Sequence, residues 1–508
     1  MANAQSSSIQ ENLNRPKVDI LTVLGILGTF VFFLGFALLI PVVIDLIYER
    51  TTWHSFLYSA GIAFGVGGAL YYFFKPEHEL RIREGFLVVS MTWLFLSLVG
   101  ALPFVISGII PSYTDAVFET MSGLTTTGAT ILGGTTADGF QNPQIEAIPR
   151  SMLFWRSLAH WLGGMGIIVL SIAILPLLGI GGMQLFQAES PGPTTDKLTP
   201  RVQETAKLLW VVYVAFTAAE FLLLWIHPAM DWFESVNHAF ATLATGGFST
   251  KNSSIQAFDS VYIDGVITLF MFLAGINFAL HYRLLQGDTK SFFENREIRL
   301  YTMVIVGATL LVSFSLFTFN NFSFGEALRY GSFQVVSIVT TTGFGTSDYE
   351  LWYPLGAFAL FLLFFTGGCA GSTGGGIKMM RWLIIIRNTF REIKQIIHPK
   401  AILPIRIGNK IVDPNIQRTV LSFFIFYIII FGMGTLIMTA FGYDLLSATG
   451  ASIACLGNIG PGWGAFGPTD NFAHVPYFGK WVLIMLMMIG RLEVFTVLLI
   501  FTPTFWKQ

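Results

Sequence analysis

Thr125-Thr126-Thr127-Gly128-Ala129 is the first of four similar turns, each of which joins a short apolar half-span to a following apolar segment. The other three turns are Ala244-Thr245-Gly246-Gly247-Phe248, Thr340-Thr341-Thr342-Gly343-Phe344 and Cys455-Leu456-Gly457-Asn458-Ile459. Taken at Gly128, Gly246, Gly343 and Gly457, the turns lie roughly 100 to 120 residues apart, which indicates a fourfold internal repeat. Each interval is long enough for two membrane helices and a re-entrant loop.

The composition predicts a protein embedded in a membrane. Of its 508 residues, 53% are hydrophobic and 12% are charged, and the mean hydropathy is +0.65. A soluble domain carries roughly a quarter charged residues. The sequence has neither a His-Glu-x-x-His motif nor paired carboxylates within an apolar segment, and its two cysteines, Cys369 and Cys455, lie in different repeats. We therefore expect no enzymatic activity, no disulfide framework and no covalently bound cofactor.

Segments that can cross the hydrocarbon core, which takes about 20 apolar residues, divide the chain. The predicted spans are 18–46, 55–75, 83–108, 149–178, 205–226, 259–283, 299–319, 354–395 (broken), 415–441 and 476–503. We expect a disordered N-terminus, an extra N-terminal helix pair and four repeats, at 1–17, 18–82, 83–200, 201–298, 299–412 and 413–508. The predicted fold is an all-α polytopic membrane protein with tandem helix–pore-helix–helix repeats around a pseudo-fourfold pore.

Four half-helices precede the turns and are too short to span the membrane: 115–126, 232–244, 326–340 and 444–455. An acidic residue lies near the start of each: Asp115, Glu234, Glu326 and Asp444. A carboxylate there caps free N–H groups and offsets the positive end of the helix dipole, so the negative ends point toward the turns. Basic residues are concentrated in the connections on the opposite side, which are therefore predicted to be cytoplasmic together with both termini.

A ring of backbone carbonyls replaces the hydration shell of a dehydrated cation in selectivity filters, and four turns supply one such ring. The candidate cation-binding residues are Thr126, Thr127, Gly128, Ala129, Ala244, Thr245, Gly246, Gly247, Thr341, Thr342, Gly343, Phe344, Leu456, Gly457 and Asn458. Glycine is expected at the four equivalent places because the carbonyls must turn inward. A threonine precedes this glycine in three repeats and Leu456 precedes it in the fourth, so the ring is predicted to be asymmetric.

Three motifs carry a family resemblance. Phe154-Trp155-Arg156-Ser157-Leu158-Ala159-His160-Trp161-Leu162-Gly163-Gly164-Met165-Gly166 follows the first turn, and the other two are Ala244-Thr245-Gly246-Gly247-Phe248-Ser249-Thr250 and Leu456-Gly457-Asn458-Ile459-Gly460-Pro461-Gly462. They are similar to segments of the Trk/Ktr/HKT superfamily of potassium transporters, in its bacterial TrkH/TrkG branch. The resemblance implies K⁺ uptake across the bacterial inner membrane, a homodimer and a cytosolic TrkA-like nucleotide-binding regulatory subunit. Some relatives have serine in place of the first glycine and favour Na⁺, so Gly128 favours K⁺.

A glycine-rich stretch interrupts the broken span. It consists of Gly367, Gly368, Cys369, Ala370, Gly371, Ser372, Thr373, Gly374, Gly375 and Gly376. Non-helical backbone at membrane depth is tolerated only where it is buried in protein or lines a water-filled cavity. Ile377 separates the last glycine from Lys378, so the Gly-Lys-Ser/Thr ending of a phosphate-binding loop is absent. The resemblance implies an intramembrane gate below the filter, and a kink for close helix packing is the structural alternative.

Arg491 lies in the middle of the last predicted span, where a charge is costly unless it is paired or faces water. The resemblance implies that it lies under the filter as a barrier or part of the gate. A salt bridge is the alternative, although Glu493 lies on a different helix face.

His160 and Arg156 are expected to hold the filter through buried hydrogen bonds. Asp348 is expected either to attract cations at the mouth or to be a solvated acid in a turn.

The sequence leaves the transport mechanism open between a gated K⁺ pore and a Na⁺- or H⁺-coupled K⁺ symporter. A coupled transporter for organic solutes is disfavoured because it is typically built from two large halves. A voltage-gated channel is disfavoured because no span carries regularly spaced arginines. The basic connection 378–418 suits anionic membrane lipid, and the resemblance implies that it docks the cytosolic subunit. The expected substrate is K⁺, and no nucleic-acid partner is expected.

Overall fold

The computed structural model describes residues 18–75, 80–173, 198–408 and 410–506. Within these ranges the regular structure is helical, apart from a short antiparallel ladder that pairs β1 (Arg406–Ile407) with β2 (Lys410–Ile411). The all-α prediction is confirmed. The N-terminus 1–17 and the end of the predicted span 149–178 lie outside the described residues.

The first two helices form the predicted extra pair. They are α1 (Ile20–Tyr48) and α2 (Trp53–Phe73). Asp45 near the end of α1 accepts the N–H groups of Thr52 (3.1 Å) and Trp53 (2.9 Å), and so caps the start of α2. A Cβ on Gly28 or Gly67 would lie closer than 3.0 Å to the carbonyl oxygen of the other glycine. Small residues therefore let the two backbones approach closely, as is common between membrane helices.

The remaining helices form four units that each contain a long helix, a short pore helix and a second helix. Repeat 1 holds α3 (Ile82–Gly100), α4 (Leu102–Ile106), α5 (Tyr113–Leu124) and α6 (Arg150–Ala173). Repeat 2 holds α7 (Leu198–Trp225), α8 (Trp232–Leu243), α9 (Val261–Ala274), α10 (Phe278–Leu285) and α11 (Thr289–Phe293). Repeat 3 holds α12 (Arg296–Phe319), α13 (Phe324–Val339), α14 (Pro354–Leu363) and α15 (Met379–Ile397). Repeat 4 holds α16 (Pro414–Ala440), α17 (Leu445–Leu456), α18 (Tyr477–Arg491), α19 (Phe495–Leu498) and α20 (Pro503–Trp506).

The predicted spans hold in most cases, with two corrections. Six described helices are long and apolar enough to cross a membrane, or eight if each of two bent pairs counts as one span. The bent pairs are α9–α10, with an angle of 100°, and α18–α19, with an angle of 115°. The continuous spans predicted at 259–283 and 476–503 are therefore wrong. The second break lies at Glu493 and Val494, whose φ values of 61° and 58° cannot continue a right-handed helix.

The ends of the predicted units and the connection 378–418 also need adjustment. The boundaries at 82/83, 200/201 and 298/299 fall just inside α3, α7 and α12. The span 354–395 is broken as predicted, between α14 and α15. The basic connection is not a loop, because α15 and the β1–β2 ladder occupy much of it.

Each pore helix, a term we use for α5, α8, α13 and α17, begins at a polar cap. The capping side chains are Ser112, Asp231, Ser323 and Asp444. Of the acidic residues expected to cap, Asp444 does so, whereas the other three lie in the first helical turn. Glu326 completes a capping box with Ser323. Asp115 instead forms a buried ion pair with Lys480 on α18, with 2.5 Å between Oδ1 and Nζ.

Candidate functional site

The four pore helices end in the same backbone motif. The residue after each C-cap has a left-handed conformation, with φ between 52° and 59°; these residues are Thr126, Thr245, Thr341 and Asn458. The next residue donates its N–H to a carbonyl five residues earlier; the pairs are Thr127–Ser122 (2.8 Å), Gly246–Ala241 (2.8 Å), Thr342–Ser337 (2.8 Å) and Ile459–Ala454 (2.9 Å). This hydrogen bond and the left-handed residue define the Schellman motif. The motif aligns the four repeats residue by residue.

Two residues after each left-handed residue, the chain has a glycine with a positive φ. These ring glycines are Gly128 (83°), Gly247 (81°), Gly343 (79°) and Gly460 (99°). A Cβ on any of them would lie closer than 3.0 Å to a carbonyl oxygen of the next repeat. In the same order, those oxygens belong to Gly246, Thr342, Ile459 and Thr127. The contacts run from repeat 1 to repeat 4 and return to repeat 1, so four glycines and four carbonyls form a closed ring.

In two repeats, the glycine that the sequence predicted to be equivalent to Gly128 is the wrong one. Gly246 and Gly457 were expected to match Gly128, but the matching residues are Gly247 and Gly460. Gly246 supplies a ring carbonyl, and Gly457 is the C-cap of α17 with φ −78°. Leu456 is the last residue of α17 and lies before the ring. Ala129 and Phe344 directly follow ring glycines, and Ala244 is the C-cap of α8.

Polar side chains around the ring differ between repeats. Thr125 and Thr127 share a hydroxyl–hydroxyl hydrogen bond of 2.8 Å, and Thr340 and Thr342 share another of the same length. In repeat 4 the amide of Asn458 donates to the Thr127 hydroxyl at 3.0 Å. The predicted asymmetry is therefore present, but it comes from Asn458 and Ile459 and not from Leu456.

A buried ion pair connects the turns of repeats 1 and 2. Glu119 on α5 accepts from Arg156 Nε at 2.8 Å and from the Thr130 hydroxyl at 2.9 Å. Arg156 Nη1 donates to the Ser249 carbonyl at 3.2 Å, and its Cζ lies 4.0 Å from the centroid of the Phe248 ring. Thr130 follows the first turn and Phe248 ends the second. The pair thus fixes two quarters of the ring relative to each other.

His160 supports the same two repeats in its neutral form. Its Nδ1 lies 2.7 Å from the Gly123 carbonyl, which can only accept, and its Nε2 lies 3.2 Å from the Phe248 N–H, which can only donate. The proton is therefore on Nδ1. A Cβ on Gly246 would lie closer than 3.0 Å to the His160 ring, which explains why this repeat has glycine where others have threonine or isoleucine. The expectation that His160 and Arg156 make buried hydrogen bonds is confirmed.

A cavity of about 140 Å³ lies on the side of the ring that faces away from the pore-helix ends. Its lining includes Gly128, Gly247 and Gly460, with Lys251 and Asp470 among the charged residues. Asp348 is not in this lining, and its side chain accepts the Glu350 N–H at 3.0 Å. Of the two interpretations of Asp348, the structure favours the acid in a turn. Asp470 is instead the aspartate in the lining of this cavity.

The glycine-rich loop 367–376 lies against the inner ends of the pore helices. The Thr373 hydroxyl donates to the carbonyl of Leu243, the last residue of α8, at 2.9 Å. The Gly375 N–H donates to the Thr341 hydroxyl at 2.6 Å. The Cys369 N–H donates to the Gly275 carbonyl at 2.8 Å, at the break between α9 and α10. The loop therefore contacts the ends of two pore helices and a bent helix at once.

Glu297, which the sequence interpretation missed, connects this loop to the start of α15. The side chain is 3% exposed, and its Oε1 accepts the N–H groups of Ala370 (2.7 Å) and Met380 (3.0 Å). Lys378 Nζ donates to the Gly374 carbonyl within the loop. A buried acid at the first turn of α12 is the sequence signal that was available, because such a group needs internal partners.

Arg491 lies directly beside the loop. It is 2% exposed, and its Nη1 donates to the Thr373 carbonyl at 2.7 Å. Its Nη2 lies 3.5 Å from the Gly163 carbonyl of α6. Glu493 forms its ion pair with Arg381. The salt bridge considered for Arg491 is therefore not with Glu493, and the arginine connects the loop to repeat 1.

A closed carbonyl ring at the meeting point of four pore helices, surrounded by apolar helices, defines a membrane protein for ion transport. A family model described as TrkH, a cation transport protein, matches residues 54–508. This protein belongs to that family, as the three motifs predicted, and it is a transport protein and not an enzyme.

Similar proteins include several potassium uptake proteins. The Trk system potassium uptake protein TrkH of Escherichia coli strain K12 is 42% identical over 95% of this chain and 98% of its own length. TrkG of the same strain is 34% identical over 95% of this chain and 97% of its own. The crystal structure of the potassium transporter TrkH from Vibrio parahaemolyticus has a TM-score of 0.87 at 35% identity, and covers 96% of this chain and 100% of that one.

Proposed function

We propose that this protein takes up K⁺ through the ring formed by the carbonyls of Thr127, Gly246, Thr342 and Ile459. The closed ring is the observation that carries this proposal. A dehydrated cation must be coordinated by oxygen atoms on all sides. Every ring carbonyl lies against a glycine, whose missing side chain leaves room for the carbonyl oxygen. The relatives called Trk system potassium uptake proteins support K⁺ as the substrate.

Electrostatics favour a cation at this point. The C-terminal, negative ends of α5, α8, α13 and α17 all lead into the ring. Asp470 at the mouth attracts cations, whereas Lys251 and Arg156 in the same lining offset part of that charge. The helix ends are therefore the main source of attraction, and they act at the ring itself.

The loop 367–376 and Arg491 act as the gate in this account. The loop lies on the route below the ring, and its contacts with Leu243 and Thr341 join it to two pore helices. Arg491 places a positive charge beside the same route, which raises the barrier for a cation. Movement of the loop and of Arg491 together opens the path.

The wider setting follows from the family. We infer that the protein works in the bacterial inner membrane as a homodimer, with both termini in the cytoplasm. A cytosolic TrkA-like nucleotide-binding subunit regulates it. The basic face of α15 and the adjoining ladder is the candidate docking surface for that subunit.

The proposal is tested by ⁸⁶Rb⁺ uptake into liposomes that hold the purified protein alone. Uptake driven by an inside-negative potential, and inhibited by K⁺ far better than by Na⁺, is the expected result. A requirement for a Na⁺ or H⁺ gradient would favour the alternative, a coupled symporter. Uptake that Na⁺ and K⁺ inhibit equally would remove the filter assignment.

A further inference from the structure

A groove of about 520 Å³ lies between α9 and the pore helix α13, on the side away from the ring. Its wall includes the apolar side chains of Leu269, Phe272, Leu328 and Val336. Leu269 and Leu328 are exposed, so the groove faces the lipid. From Val261 to Phe272, α9 rises about 16 Å at about 1.5 Å per residue. This is close to half of a hydrocarbon core of about 30 Å, so the groove spans one leaflet.

A charged cluster closes the end of the groove where both helices begin. Arg329 on α13 pairs through Nε with Asp264 Oδ2 at 2.7 Å and through Nη2 with Asp259 Oδ1 at 3.1 Å. The cluster has one cation and two carboxylates, so it carries one excess negative charge. It lies where both helices begin, which is the end that the distribution of basic residues predicts to face outward, at the level of lipid headgroups.

One atom of this cluster lacks a partner. Asp264 is 3% exposed, and its Oδ1 makes no hydrogen bond with any residue that the structure describes. A buried carboxylate oxygen without a donor is destabilising, because nothing replaces the hydrogen bonds with water that it loses on burial. Oδ1 itself is shielded from solvent, but Asp264 lines the groove, so a rotation of its carboxylate would bring this oxygen to a donor in the groove.

We propose that the groove binds one phosphatidylethanolamine molecule. An acyl chain fills the apolar wall, the ammonium group donates to Asp264 and Asp259, and the phosphate contacts Arg329. An ammonium carries three N–H donors, which suits two carboxylates, and a guanidinium suits a phosphate. Choline headgroups have no N–H donor and glycerol headgroups have no positive charge, so neither matches the cluster as well.

Two glycines in the wall of the groove allow it to be filled by substitution. Gly265 and Gly325 line it, and a Cβ on either would meet no atom within 4 Å. Gly265→Trp therefore places an indole in the groove from a Cβ that displaces no protein atom, and removing a helical glycine does not weaken α9. Gly307 on α12 also faces open space but lies outside the groove, so Gly307→Trp is the matched control.

The test is native mass spectrometry of the purified full-length protein titrated with phosphatidylethanolamine, phosphatidylcholine or phosphatidylglycerol. The wild type is expected to retain one more phosphatidylethanolamine than Gly265→Trp, and Gly307→Trp is expected to match the wild type. Asp259→Asn removes one carboxylate but leaves the Asp264–Arg329 pair, and is expected to weaken this binding about fivefold. Phosphatidylcholine is expected to bind the wild type as weakly as phosphatidylethanolamine binds Gly265→Trp.

Equal retention of phosphatidylethanolamine by the wild type and Gly265→Trp would overturn the proposal. Equal binding of the choline and ethanolamine lipids would do the same. If Gly265→Trp separates a dimer in light scattering, the groove belongs to an interface with a second copy and the lipid assignment is wrong. None of these readouts involves K⁺ uptake, so they are independent of the transport function.

Discussion

At the scale of single residues, each ring glycine is required for two separate reasons. Its positive φ is disfavoured for residues with a Cβ, and a Cβ there would press on the carbonyl of the next repeat. The clash with a carbonyl involves the same oxygen atoms that we propose bind K⁺. A substitution at a ring glycine should therefore affect transport more than it affects folding.

The corrected register can be tested in repeat 4. Gly460→Ala is expected to lower ⁸⁶Rb⁺ uptake by about tenfold or more, since its Cβ would meet the Thr127 carbonyl. Gly457→Ala is expected to lower uptake clearly less than Gly460→Ala. Gly457 has a helical φ, and its Cβ would meet the Ile453 carbonyl and the Ile459 side chain, not a ring carbonyl. If Gly457→Ala is the damaging change and Gly460→Ala is tolerated, the register in repeat 4 is wrong.

Gly128→Ser should change ion preference. The added hydroxymethyl group meets the Gly246 carbonyl, which distorts the ring between repeats 1 and 2. We expect Na⁺ permeability to rise relative to K⁺, measured by competition of both ions with ⁸⁶Rb⁺. Gly307→Ser, at a glycine of α12 whose Cβ would meet no atom within 4 Å, serves as the control. Unchanged relative permeability in Gly128→Ser would remove this residue from the filter.

The sequence predicted the four turns but not the register within two of them. In repeat 2, Gly246 and Gly247 are adjacent, and only the clash with His160 explains why both are glycines. In repeat 4 the left-handed position holds Asn458, a residue that tolerates this conformation better than most. Matching Gly457 to the other glycines then placed Leu456 in the ring and left out Ile459 and Gly460.

At the scale of secondary-structure elements, the Glu119–Arg156 pair couples α5 and α6 to the second turn. Glu119→Gln or Arg156→Met alone is expected to cost about 3 kcal/mol of stability, because each leaves a buried charge unpaired. The double variant is expected to cost clearly less than the sum of the two. Thermal unfolding of the detergent-solubilised protein measures all three. Additive costs would mean that the two side chains do not act as a pair.

Contacts with residues outside the loop hold 367–376 in its position. Arg491→Ala removes the bond to the Thr373 carbonyl and the positive charge beside the route. We expect ⁸⁶Rb⁺ uptake by the protein alone to rise several-fold, and to rise similarly when residues 370–374 are deleted. Arg387→Ala, at an exposed arginine of α15, should leave uptake unchanged. A fall in uptake by intact Arg491→Ala protein would contradict the gate assignment.

Hydropathy predicted most of the long helices because apolar length is a strong signal. It did not predict the breaks in α9–α10 and α18–α19, since each segment is apolar enough on average to pass as one span. These breaks depend on tertiary contacts, such as the Gly275 carbonyl that accepts the Cys369 N–H. The role of Glu297 was missed for the same reason, because its partners lie more than 70 residues away in the chain.

At the scale of the whole molecule, one chain supplies all four quarters of the ring, so the quarters need not be identical. Repeat 2 has Gly246 where the others have Thr127, Thr342 and Ile459, and only repeat 4 has Asn458 at the left-handed position. The fold was predictable because a repeat of four turns is visible without any structure. The contacts that join neighbouring quarters, such as that of Arg156 with Ser249, could not be predicted from the sequence.

The measurement that tests the central claim most directly is ⁸⁶Rb⁺ uptake by wild-type protein and by Gly247→Ala in the same liposomes. Gly247, and not the Gly246 that the sequence register matched to Gly128, is the ring glycine of repeat 2, and a Cβ there would press on the Thr342 carbonyl. The account predicts K⁺-sensitive uptake by the wild type, and loss of most of it in folded Gly247→Ala. Wild-type levels of uptake and K⁺ selectivity in Gly247→Ala would contradict the carbonyl ring as the path of the ion.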